Sequence, residues 1–162
     1  MKKGISLIEI LIVVAIFAVL GVLISRVILT TLRGSSRSDN LVKVRDNLDY
    51  ALSIMERQIR NAESVSPCPN SPPYTRIDFR DSNGIAAYFA CTNVGASGYV
   101  ASGSARLTND QVAITACSLI CNAASGRVPP SVDISLEARG ANQTGVERAM
   151  VTAVTKIFLR TY

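Results

Sequence analysis

The sequence predicts an α+β fold, in which one long amino-terminal helix, membrane-spanning in its first half, packs through its second half against an antiparallel β-meander. Three observations carry this. Ile10–Ile24 is a run of fifteen uncharged residues, apolar but for Gly21. No proline precedes Pro67, and apolar residues recur at three- and four-residue steps as far as Ala62. From Tyr74 onward the apolar period falls to two, the spacing of a half-buried strand.

The opening run extends back to Ile5, giving twenty residues in which Ser6 and Glu9 are the only polar ones. At ~1.5 Å per residue, twenty helical residues cover roughly 30 Å, the depth of a bilayer core. Arg26 closes the run, and no small-residue cleavage pattern follows it, so the segment reads as a span and not a signal peptide removed behind its apolar region. A carboxylate within such a run is costly, on the order of 2.5–3.5 kcal/mol at mid-bilayer, and such groups find partners. Glu9 lies near one end, where the cost is lower. Lys2 and Lys3 are nearby cations. A cut after Gly4 creates another, the free α-amine of Ile5. That amine is poorly placed for Glu9 of its own chain but can serve the Glu9 of a neighbour shifted along an axis.

Helix continues past the span. Gly34-Ser35-Ser36 is a weak point, since a helical glycine costs roughly 1 kcal/mol relative to alanine, and a bend or fray is expected there. Beyond it Leu41, Val44, Leu48, Ala51, Met55, Ile59 and Ala62 form one apolar stripe, with Asp39/Lys43 and Glu56/Arg60 as i,i+4 pairs in the favourable order. The stripe is too short in heptads for a coiled coil and suits a helix lying on a sheet. Ser64 through Pro67 is the expected helix end. Together the two helical parts could reach about 90 Å.

TRIDFR then alternates, Asp81-Ser82-Asn83-Gly84 carries the Asn-Gly hairpin signal, and IAAYFAC returns. Thr92–Ser104 has no clear pattern. QVAITAC, VDISLEAR and VTKIFLR are further strands, with Val132, Ile134, Leu136 and Ala138 facing inward. Short strands with hairpin links give a meander whose apolar face needs a cover, and the helix stripe supplies it. The boundaries are 1–4 for a leader, 5–33 for the span, 34–66 for the amphipathic helix and 67–162 for the sheet domain.

Composition narrows the chemistry. Among 162 residues there is no histidine, which removes Ser-His and Cys-His catalysis and imidazole metal ligands. No Gly-x-Ser-x-Gly and no convergent acid pair is seen, so an exported, membrane-anchored enzyme is disfavoured. The net charge is +5, falling to +3 without Lys2 and Lys3, too little to demand nucleic acid. A basic outer face of Arg76, Arg80, Arg139, Lys156 and Arg160 lacks the aromatic interleaving of a nucleic-acid platform. Asp81-x-Asn83-Gly84 resembles part of a calcium loop but lacks the later ligands, and reads as a turn. Asn142-Gln143-Thr144 fits a glycosylation sequon, a frequent chance match.

Four cysteines, Cys68, Cys91, Cys117 and Cys121, follow the apolar segment at separations of 23, 26 and 4, which match no paired zinc knuckle. In an exported domain they read as two disulfides with three possible pairings. Cys68–Cys91 with Cys117–Cys121 is the favoured pair, the second bridge requiring a tight turn at Ser118-Leu119-Ile120.

KKG, then ISLIE, then a long apolar helix resembles the amino-terminal signature of type IV pilins and pseudopilins. The close match covers Gly4 to about Ile24. The resemblance implies that a prepilin peptidase cuts between Gly4 and Ile5 and methylates the new terminus, and that Glu9 registers the incoming subunit. It implies a non-enzymatic subunit without cofactor. Its partners are other pilin or pseudopilin subunits, the peptidase, the membrane and an inner-membrane assembly platform. Ile5 stands where the family usually has Phe, and Arg26 where major pilins often have a proline. Both departures point to a minor subunit, with a priming or tip role in a type IV pilus, or the equivalent part in a type II secretion system. The layout is most similar to J-type pseudopilins and W-type minor pilins. Lys2 and Lys3 favour a cytoplasmic amino terminus, while Arg26 and Arg33 flank the other end. The leader decides on family grounds, placing the distal domain outside the cytoplasm. A passive receptor-like module needs neither Gly4 nor Glu9.

Overall fold

The computed structural model describes residues 7–66, 68, 70, 74–141 and 150–160. Helix α1 runs from Leu7 to Arg60, 54 residues, without a break at Gly34–Ser36. The chain divides into two compact units at Ser38.

Within Asp39–Tyr162 the helix buries Val44, Leu48, Ala51, Met55 and Ile59, the predicted stripe, with Leu41 half-buried. Of the expected ion pairs, Glu56 and Arg60 bond, whereas Asp39 and Lys43 do not, and Arg45–Asp49 stands at 4.0 Å. The helix stops at Arg60, earlier than Ser64–Pro67. The Ala62 amide donates to Ile59 at 3.1 Å, and the Glu63 amide donates to the Arg80 carbonyl at 2.9 Å. The chain is thus captured by a strand before proline can end the helix, and Ser64–Ser66 becomes β1.

Seven further strands follow: β2 (Arg76–Arg80), β3 (Ala86–Thr92), β4 (Tyr99–Ser102), β5 (Ala105–Arg106), β6 (Val112–Asn122), β7 (Ser131–Gly140) and β8 (Met150–Phe158). All pairings are antiparallel between consecutive strands. They form two meanders in place of the single one expected, a five-stranded sheet β1-β2-β3-β4-β5 and a three-stranded sheet β6-β7-β8. The break falls where the chain leaves the first sheet for the helix. After β5 the Leu107 amide bonds Val100, the buried Thr108 hydroxyl accepts from the Val100 amide, and the Asn109 amide donates to Asn47 on α1. The chain is drawn to the helix there and begins a new sheet. β4 lies inside the unpatterned Thr92–Ser104 stretch, where Val100 is fully buried.

One core joins the helix stripe to both sheets. Leu48, Met55 and Ile59 meet Ile77, Phe79, Phe89 and Val100 from the first sheet, and Ile114, Leu119, Ile134, Leu136 and Ile157 from the second. The Phe79 and Phe89 rings stack at 5.1 Å, within the usual aromatic range. Inward burial of Val132, Ile134, Leu136 and Ala138 on β7 follows the period of two.

Candidate assembly segment

The candidate site is the first part of α1. Every large apolar side chain from Leu7 to Leu32 is exposed, Phe17 at 71%. A helix hydrophobic on all sides belongs inside lipid or other protein. Here none of its most apolar window is buried within the chain. Among the described residues that window is therefore open on all sides, as suits a helix placed in lipid or against other protein.

Its polar groups are arranged accordingly. Ser25 Oγ donates to the Gly21 carbonyl at 2.8 Å, Thr30 Oγ1 to Arg26 at 2.8 Å, and Thr31 Oγ1 to Val27 at 2.9 Å. These bonds back to the preceding turn satisfy the hydroxyls without water. Glu9 sits in the first turn, where a negative charge is favoured by the helix dipole. Among the described residues neither Glu9 nor Arg26 nor Arg33 has an ion-pair partner. Gly4 and Ile5, the expected cleavage pair, lie outside the described residues, as does the Asn142–Thr144 sequon.

All four cysteines are bonded, in a pairing other than the favoured one. Cys68 bonds Cys121 with Cα atoms 5.1 Å apart, and Cys91 bonds Cys117 at 6.4 Å. The expected Cys117–Cys121 bridge is impossible because Ser118–Ile120 is not a turn but the middle of β6. At ~3.3 Å per residue its two cysteines stand roughly 13 Å apart. Both bridges instead tie β6 to chain outside its own sheet, Cys91 on β3 and Cys68 in the link between β1 and β2. A third tie, unmarked in the sequence, is Asn70. Its amide donates to the Cys121 carbonyl at 3.1 Å, its Oδ1 accepts from the Cys121 amide at 2.6 Å, and its Nδ2 donates to Leu119 at 3.2 Å. Asn70 thus satisfies β6 as a strand residue would.

The other signals separate. Asp81 Oδ1 accepts from the Asn83 and Ile85 amides at 2.8 and 2.9 Å, and Gly84 takes φ +76°, so the loop is a turn held by its own carboxylate. The five basic residues do not share one face. Arg76 and Arg80 lie on β2 in the first sheet, while Arg139 and Lys156 belong to the second and Arg160 follows β8. The Arg76 guanidinium forks onto Asp78, which holds it above its ordinary pKa, and stacks 3.8 Å from the Tyr88 ring centre. Arg106 lies 4.7 Å from the Tyr99 ring, so the sheet does interleave aromatic and basic residues, across strands where the linear sequence hides it. Both arginines are already paired with aspartates.

Residues 1–25 match the family model of the prokaryotic N-terminal methylation motif, the signature of type IV pilin and pseudopilin substrates of prepilin peptidase. The match takes in the whole apolar run, ends at Ser25, and leaves the sheet domain uncovered. Neither the curated proteins nor the solved structures give a significant match.

Proposed function

From that motif as premise, we propose that the chain is a structural subunit of a type IV pilus, a minor pilin with a priming or tip-associated role. It is cut after Gly4, methylated on Ile5, and assembled through its amino-terminal helix. The observation that carries this is the methylation motif running into a helix whose most apolar window is unburied among the described residues. Before assembly the helix anchors the chain in the inner membrane with the distal domain outside the cytoplasm. The disulfides support that side, since such bonds persist in oxidising compartments. Glu9 gives the incoming helix its register by accepting the amine of an adjoining subunit. Ile5 and Arg26 favour a minor over a major subunit. The same features suit a minor pseudopilin of a type II secretion system.

The test is the mass of the mature amino terminus. Loss of Met1–Gly4 with a methyl group on Ile5 is expected, together with retention of the leader in a Gly4→Leu variant. A native chain that keeps its first four residues while polymerising normally overturns the proposal.

A further inference from the structure

Where the apolar run of α1 ends, Arg26, Arg33 and Arg37 follow, all exposed and all within the unit Met1–Ser38. On a helix of ~3.6 residues per turn the three fall within about 40° of one another, in a single line along one face. Arg33 stands ~10 Å and Arg37 ~16 Å beyond Arg26 along the axis. A helical side chain meets ion-pair partners three or four residues away. None of those positions holds an acid for any of the three, and α1 has no acid between Glu9 and Asp39. Arg33 and Arg37 are instead an i,i+4 pair of like charge, which opposes the helix. Among the described residues none of the three guanidinium groups has a salt-bridge partner, whereas Arg45, Arg60, Arg76 and Arg106 each sit on a carboxylate. In the proposed orientation the stripe lies on the translocated side, against the usual charge bias of a span. Such a line of like charges calls for an anion from outside the chain.

We propose that this stripe binds the phosphate groups of anionic phospholipids, in the leaflet where the span ends. The inference rests on the reading of the apolar run as membrane-spanning, and continuity with that run names the occupant. Twenty residues from Ile5 reach roughly 30 Å, so Arg26 stands at the hydrocarbon edge. The headgroup layer adds about 5–7 Å on each side. Arg33 lies just past that layer. Helical side chains lean toward the amino terminus, here back toward the membrane, and the long arginine stem carries its charge down to the headgroups. Arg37 remains within the field of the surface, which fades over ~10 Å at ordinary salt. The planar guanidinium fork matches phosphate oxygens two at a time.

The experiment places the full chain, leader attached, in vesicles of equal parts phosphatidylglycerol and phosphatidylcholine. Spin-labelled forms of each lipid report which is held at the chain. Phosphatidylglycerol should be held several-fold more than phosphatidylcholine. Arg26→Gln with Arg33→Gln should lower that ratio at least fivefold, and Arg26→Lys with Arg33→Lys, which keeps the charge, should preserve it. Sodium phosphate should weaken the preference no more than sodium chloride of equal ionic strength. Three results overturn the inference: equal holding of the two lipids, a ratio unchanged in the glutamine variant, or displacement specific to phosphate, which makes the ligand a free anion. Resistance to alkaline extraction is scored on the same vesicles. A chain that is extracted overturns the membrane reading and this inference together, whereas an inserted chain without lipid preference overturns this inference alone.

Discussion

Glu9 is the sole acid between Lys3 and Asp39, and among the described residues it has no cation. If its role is to receive an amine from an adjoining subunit, Glu9→Ala should leave cleavage intact and lower incorporation into filaments. Quantifying the processed variant in sheared filaments decides this, and wild-type incorporation removes the explanation. Gly98 carries a constraint of another kind. A β-carbon there would lie 2.1 Å from the Ile114 carbonyl oxygen, against backbone that cannot rotate away. Gly98→Ala should therefore cost about 1–3 kcal/mol of stability, read from denaturant unfolding. Glu9 was legible from the sequence because a charge in an apolar run stands out. Gly98 and Asn70 were not, since their importance arises from β6, which is distant in the chain.

At the scale of elements, helix and strands were legible in proportion to their periodicity. The stripe from Val44 to Ile59 and the alternation on β7 are local patterns that burial reproduces residue by residue. β4 was hidden because its burial depends on pairing with β3 and not on its own alternation. The division into two sheets was hidden because the chain between them makes its bonds far away in sequence, as Asn109 does to Asn47, 62 positions apart. The cysteine pairing failed for the same reason: β6 continues through Asn122, well past the predicted QVAITAC, and this stretches Cys117 away from Cys121. On a chain-entropy estimate the Cys91–Cys117 bridge, with 26 residues of separation, is worth about 3.5 kcal/mol. Cys91→Ser with Cys117→Ser should lower the unfolding free energy by about that amount while helical circular dichroism from α1 persists. Unfolding unaltered by the double substitution or by reductant denies the bridges a structural role.

At the scale of the whole molecule, the two readings of function part on phenotype. Deleting the gene should reduce surface pili and leave protein export intact if the chain serves a pilus. Loss of secreted substrates with pili intact assigns it to a secretion system. In either setting the domain is attached to an assembly through α1, and the route of its covalent ties then acquires a mechanical meaning. Tension arriving along the helix must withdraw the buried stripe Val44–Ile59 and peel Ser64–Ser66 from β2, but at Cys68 it meets a bond to Cys121 in the other sheet. Stretching therefore yields only the chain ahead of that bridge before the pull is shared with β6, so the strands that follow Cys68 should stay folded under load.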